Sequence, residues 1–306
     1  MILNFVTLLN ALPGAVAQGL IWGIMAIGVY ITYKVLDYSD LTVDGTMATG
    51  GAVFIMLMTS GVNVWLALIC AIIAGMLAGL VTGLFHTVMG IPPILAGILT
   101  QLSLYSINLS IMGGKANQAV SVTKYDLIVS SRYVKSMSLE NPIIITVIFI
   151  VVLIAVLYWF FGTELGSALR ATGANEAMSR AQGIDTNKCK ILGLMVSNGI
   201  VAMSSAMYSH YQGFVDVNMG RGAIVIGLAA VIISSVIFGK IFRNFALKLV
   251  AVALGAVIYY VVIQVVLWLG LDTNLLKMLS ALIVALFLAI PYWKSKIHLK
   301  GGHHNA

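Results

Sequence analysis

From Gly45 to Gly114 the chain runs for 70 residues without one Asp, Glu, Lys or Arg. A membrane-crossing helix takes about 20 apolar residues, so this run alone has room for three. The remainder agrees with it: 60% of the 306 residues are hydrophobic and 9% are charged, whereas an ordinary globular domain is about a quarter charged. Such a chain cannot clothe a soluble surface. A soluble enzyme, a nucleic-acid reader and a disordered tail are excluded. The net charge of +7 is therefore read as cytoplasmic loop charge under the positive-inside rule and not as a nucleic-acid footprint.

Charges and helix breakers predict an all-α, polytopic membrane helix bundle, with residues 1–306 forming one transmembrane domain. About nine spans (eight to ten) are expected, at 13–33, 46–60, 63–85, 91–112, 142–161, 191–211, 222–238, 249–270 and 275–292. The second is short, as interrupted helices of transport proteins are, and Pro92-Pro93 marks a turn between the third and fourth. The apolar start lacks a basic leader and continues past Gly19, which reads as a first span and not a cleaved signal. With the N-terminus outside and the C-terminus inside, eleven Lys and Arg lie inside: Lys34, Arg170, Arg180, Lys188, Lys190, Lys240, Arg243, Lys248, Lys294, Lys296 and Lys300. Six lie outside, four of them in an extracytoplasmic loop at 113–141. Glycines at four-residue spacing (Gly19 and Gly23; Gly75, Gly79 and Gly83) allow close helix packing, either within one subunit or across a dimer seam. Cys70, in an apolar run, and Cys189, in a basic loop, are expected to be free thiols.

No phosphate-binding loop is present, since Gly239-Lys240 is followed by Ile241, and no His-Glu-x-x-His or paired-Cys cluster occurs. Neither a metal site nor a cofactor on this chain is expected. The spans also lack the ionisable residues that an ion-coupled carrier normally keeps in the membrane. Energy for active transport would then come from a partner chain.

Residues 162–190 form the most informative stretch. Thr163 before Glu164 reads as a helix start, and Gly173 is expected to interrupt that helix. Asn175 can cap a second short helix over Glu176–Gln182, and Gly183 can end it in the left-handed conformation. Glu176 and Arg180 can pair across one turn, while Asp185 can cap the next span. This is either a solvated loop with incidental caps or a rigid peg that docks on a cytoplasmic motor.

The segment Glu164-Leu165-Gly166-Ser167-Ala168-Leu169-Arg170-Ala171-Thr172-Gly173-Ala174-Asn175-Glu176-Ala177, closing with Ala181-Gln182-Gly183-Ile184, resembles the coupling-helix signature of ABC importer permeases. Within them it resembles the branch serving branched-chain amino acids and ribose. Asp40-Leu41-Thr42-Val43-Asp44-Gly45-Thr46 resembles a second conserved segment of that branch. Gly97 to Thr100 and Leu104 to Gly113 are similar to permeases assigned to tryptophan and tyrosine uptake. The resemblance covers roughly residues 15–295. It implies an all-helical permease paired with a second copy or a paralogue, two cytoplasmic ATPase subunits carrying ATP and Mg²⁺, and an extracytoplasmic solute-binding protein. It also implies that Glu164, Arg170, Gly173, Asn175, Glu176, Ala177, Arg180 and Gly183 couple to the ATPase. The implied role is import of a small amino-acid-like solute, aromatic ones included; the alternative is an ATP-independent carrier or channel.

Two faces could line a pathway. Gln101, Tyr105, Asn108 and Met112 share one face of the fourth span, and Ser197, Ser204, Tyr208 and Gln212 share one face of the sixth. The same residues could instead make interhelical hydrogen bonds. Asp44 either caps the second span or, with Asp40, gates the inner mouth. The charges of the 113–141 loop (Lys115, Lys124, Asp126, Arg132, Lys135 and Glu140) either are plainly solvated or offer a docking surface to a binding protein.

Overall fold

Several helices begin where the sequence supplies a side-chain acceptor or a proline. The computed structural model describes residues 5–120, 129–134 and 141–270, then 275, 278, 280–287 and 289. Helix α1 (Phe5–Tyr30) runs on through a π-helical turn, Ile31–Val35, and is followed by α2 (Val43–Thr59), α3 (Val64–Thr87) and α4 (Pro93–Ile111). After strand β1 (Asn117–Ala119) come α5 (Pro142–Gly162), α6 (Glu164–Ala174), α7 (Glu176–Ala181) and α8 (Thr186–Gln212). Strand β2 (Phe214–Asp216), α9 (Ala223–Phe238) and α10 (Phe245–Trp268) complete the order. Asn63 and Asn141 accept from the backbone N–H groups of Trp65 and Ile143 at the starts of α3 and α5, and prolines open α4 and α5, where no N–H is missed.

Among the described residues, six helices are long and apolar enough to cross a membrane: α1 with its π turn, α3, α4, α5, α8 and α10. Two shorter apolar helices, α2 with 17 residues and α9 with 16, pack with them. The fold is that of a polytopic helical membrane protein. The expected ninth span, at 275–292, falls partly outside the described residues, with 280–287 helical; Lys124, Asp126, Lys135 and Glu140 of the long loop and the chain end lie outside them.

The bundle has an inner and an outer ring. In α1 and α8, 78% and 72% of the apolar window is buried, against 33%, 28% and 22% in α3, α4 and α5. The glycine rows explain the inner contacts. A Cβ on Gly75 or Gly79 would run into the carbonyls of Asn198 and Leu194 on α8. One on Gly19 or Gly23 would come within 2.7 and 3.1 Å of the Cα atoms of Val257 and Ala253 on α10. Both rows thus serve packing within the subunit.

Three expectations are corrected. The fold is not purely helical: β1 and β2 pair antiparallel, with Asn117 opposite Asp216, because α4 and α8 deliver their following loops to the same end. Cys189 is not in a loop but buried in the first turn of α8; it and the half-buried Cys70 are free thiols. Gly173 does not interrupt its helix, which continues to Ala174.

Candidate functional site

The hairpin between α5 and α8 is fastened on its inner edge and open on its outer one. The Thr163 hydroxyl accepts from Gly166 N–H at 3.3 Å, Asn175 Oδ1 from Met178 N–H at 3.0 Å, and Asp185 Oδ1 from Lys188 N–H at 3.2 Å. Gly183 takes φ +85° after α7. Glu176 is the clasp: Oε1 accepts from Arg180 and Oε2 from Lys190, each at 2.8 Å, and the Thr186 hydroxyl reaches Oε1 at 3.3 Å. The hydrogen bond from Lys190 holds the Glu176 carboxyl below the ordinary glutamate value despite partial burial. The backbone N–H of Lys188 does the same for Asp185. Lys190 also contacts His86 Nε2 at 3.5 Å, and His86 Nδ1 donates to the Ile91 carbonyl at 2.9 Å, so α7 is tied to the turn between α3 and α4.

Gly173 supplies the second fastening. A side chain there would collide with the Val35 carbonyl and stand 2.8 Å from Leu36 Cα. Close approach to the π turn therefore outweighs the roughly 1 kcal/mol helix penalty of glycine. The outer face remains free: Leu165 and Met178 are 61% and 59% exposed, and Glu164, Arg170, Ala177 and Arg180 are exposed beside them.

Residues 36–42 follow the π turn as non-helical chain, yet Asp40 and Thr42 are buried. Irregular backbone survives at membrane depth only when protein groups satisfy it. Here Tyr38 N–H donates to Thr32 O at 2.9 Å. Asp40 Oδ1 accepts from Thr42 N–H at 2.9 Å, and its Oδ2 accepts from Asn198 Nδ2 at 2.7 Å. Asn198 Oδ1 accepts from the Thr46 hydroxyl at 2.7 Å. Thr42 and Thr82 hydroxyls meet at 2.7 Å, and Thr82 donates to Thr100 at 2.9 Å. This polar seam joins α2, α3, α4 and α8.

Helix α2 thus starts inside the bundle. Gly45 lies against Gln101 and Leu104, level with the middle of α4. Helix α9 starts at the same place, because the chain after β2 turns back inward and Gly220 packs on the Asp44 backbone. The two Asp44 carboxylate oxygens accept from the N–H groups of Gly222 and Ile224, each at 2.9 Å. Asp44 therefore caps α9 and not its own helix, correcting the cap expected from sequence. Two helix N-termini, each with partial positive charge, converge on one carboxylate, with Arg221 alongside.

Asp44, Gln101, Tyr105, Asn108 and Arg221 line a cavity of about 340 Å³. Asn108 is buried and donates to Gly45 O at 3.5 Å. Arg221 also borders a second cavity of about 530 Å³, with Gln18, Trp22, Tyr208, Tyr260 and Gln264 in its wall. Trp22 and Tyr208 meet edge to face with centroids 5.4 Å apart, and Gln18 donates to the Tyr208 hydroxyl at 3.1 Å. Asp44 occupies the helix ends, which leaves the Arg221 guanidinium to suit a carboxylate, and the aromatic wall suits a planar apolar side chain.

The expected fourth-span face is thus brought together with Asp44, except for Met112, which is buried in apolar packing. The sixth-span face is divided. Ser197 donates to Gly28 O at 2.8 Å and Ser204 to Ile21 O at 2.7 Å, both sealed between α1 and α8; of the four residues only Tyr208 lines a cavity, and Gln212 donates to its hydroxyl. Sequence reasoning missed Lys190, Asn198, Trp22 and Arg221 as site residues. A lone amide amid apolar residues was a usable signal for Asn198; no local spacing links Lys190 to Glu176.

Residues 12–290 match the family described as branched-chain amino acid transport system / permease component. The chain is 37% identical over 281 residues to the tyrosine transport system permease protein of Clostridioides difficile (strain R20291), covering 92% of this chain and 91% of that one. An uncharacterized protein of Rickettsia prowazekii (strain Madrid E) is 34% identical over 286 residues, 92% of this chain and 98% of its own. The fructose import permease protein of Bifidobacterium longum (strain NCC 2705) is 26% identical over 248 residues, 80% of this chain and 67% of its own. No solved structure matches.

Proposed function

Because the chain belongs to the branched-chain amino acid transport system permease family, we propose that it is the membrane-spanning subunit of an ATP-driven importer. It is a multi-pass cell-membrane protein and a transport component. In this reading it is one domain over 1–306 with nine spans, N-terminus outside and C-terminus inside, the 113–141 loop extracytoplasmic and 162–190 cytoplasmic. Two ATPase chains carry ATP and Mg²⁺, this chain carries no cofactor, and a second copy or a paralogue completes the pathway. A binding protein delivers a small amino-acid-like solute. An aromatic one is favoured by the relative named for tyrosine and by the wall of Trp22, Tyr208 and Tyr260 beside Arg221.

The observation that carries the reading is the continuous contact from hairpin to cavity. Force on the exposed face of α6 and α7 reaches Val35 and Leu36 through Gly173. It then passes along residues 36–42 and the Asp40–Asn198 bond to the start of α2, where Asp44 holds α9. Glu164, Arg170, Asn175, Ala177, Arg180 and Gly183 shape the docking face, and Gln101, Tyr105, Asn108, Tyr208 and Asp44 border the route. Ser197 and Ser204 hold the wall behind it.

The test is uptake by the assembled complex in liposomes. Gly173→Pro and Glu176→Lys are expected to abolish uptake, and with it the stimulation of ATP hydrolysis by loaded binding protein, while membrane insertion is kept. Full stimulation in both variants would remove the coupling role. Uptake by this chain alone under an ion gradient, without nucleotide, would establish the carrier reading instead.

A further inference from the structure

Four cations from separate parts of the chain meet around one opening at the hairpin end of the bundle. Lys34 stands on the π turn, Arg170 on α6, Arg243 just before α10 and Lys248 in its first turn; with Tyr30 and Asn244 they line a cavity of about 590 Å³. All four are exposed, no Asp or Glu lines the cavity, and the ion pairs among the described residues involve none of them. Asn244 occupies the N-cap of α10 but its side chain caps nothing, so the positive end of a 24-residue helix adds to the same opening. Cations gathered without a counter-charge repel one another, and an anion seated among them removes that repulsion.

The space behind this mouth selects among anions. A second cavity of about 380 Å³ shares Tyr30, Lys34 and Lys248 with the first and continues between Val231, Ile232, Phe238 and Phe242. Phe238 and Phe242 are stacked with centroids 5.4 Å apart. Tyr33, Tyr158 and Trp159, at 39%, 52% and 71% exposed, stand around this end of the bundle. Exposed aromatic residues of this kind sit at the headgroup level of a bilayer. A cationic mouth at that level, opening into an apolar slot, has the shape of a headgroup followed by a chain. A free anion would use only the mouth, and a flat protein face would not enter the slot.

We propose that this is a binding site for an anionic phospholipid, with its phosphate among Lys34, Arg243 and Lys248 and one acyl chain along the slot. Basic pockets between membrane helices bind such headgroups in general. Assignment to the inner leaflet rests on the orientation proposed above; the binding itself does not.

The experiment is native mass spectrometry of the purified, delipidated chain titrated with phosphatidylglycerol or phosphatidylcholine. Wild type is expected to retain phosphatidylglycerol in preference. The triple variant Lys34→Gln, Arg243→Gln, Lys248→Gln is expected to bind it on the order of a hundredfold more weakly, while Lys115→Gln binds as wild type. Equal retention of both lipids, or an unchanged triple variant, overturns the proposal. Displacement of the lipid by millimolar inorganic phosphate assigns the mouth to a free anion and also overturns it. None of these readouts is transport, so failure here leaves the importer reading standing, and failure of that reading leaves this result intact.

Discussion

Asp44 serves a helix that begins 178 residues later in the chain. Its two oxygens satisfy two N–H groups that would otherwise be orphaned where water is scarce, at about 1–3 kcal/mol each. Asp44→Ala is therefore expected to cost roughly 2 kcal/mol or more and to lower the apparent Tm of the detergent-solubilised protein by several degrees. Asp44→Asn keeps one acceptor and should lose about half as much. Equal losses in the two variants, or none, would show that the cap does not hold α9. That Asp44 caps something was legible from its place ahead of an apolar run. Its target was not, because α2 has its own N-terminus nearby and nothing local tells the two apart. Ser197 and Ser204 teach the same lesson: their helical spacing is plain in the chain, but only the approach of α1 decides that they face carbonyls and not a cavity.

At the scale of elements, the hairpin was almost wholly readable, since its caps act over three or four residues. Its attachment to α8 rests on Glu176, whose carboxyl is depressed chiefly by the Lys190 hydrogen bond. A depressed folded value means that the stabilisation is complete above the ordinary glutamate value near 4.3 and fades as pH falls through the lower, folded one. The carboxylate side chain is 39% exposed, so screening limits the contribution to about 1 kcal/mol. Cleavage within 164–186 by an acid-tolerant protease should stay slow down to about pH 4 and rise below it. Glu176→Gln should be cleaved faster at neutral pH and lose the step. An identical pH profile in that variant would detach the step from this carboxyl. The misread Gly173 fits the same account: its helix penalty is visible locally, whereas its contact with Val35 is not.

For the whole molecule, the α4 face carrying Tyr105 and Leu102, 42% and 64% exposed, borders the Asp44 cavity. Tyrosine and glutamine beside a cavity suit a shared pathway better than lipid. In the proposed pair, Tyr105→Cys in a chain with Cys70 and Cys189 changed to Ser should form a disulfide to the second permease chain on mild oxidation. Trp159→Cys, on the outer ring, should not; cross-linking at Trp159 alone would place the seam elsewhere. The amino-acid order alone determined that this chain lives in a bilayer, that several of its helices start at local capping residues, and that a short capped hairpin joins α5 to α8. Those properties depend on hydropathy and on neighbours within a turn. Which glycine row meets which helix, where Asp44 meets α9 and Arg221, where Asn198 meets Asp40, and which polar faces stay open were decided only in three dimensions. In lipid every apolar helix face is equally well solvated, so hydrophobicity does not choose partners. Close backbone approach and buried hydrogen bonds do, and both are made between residues far apart in the chain.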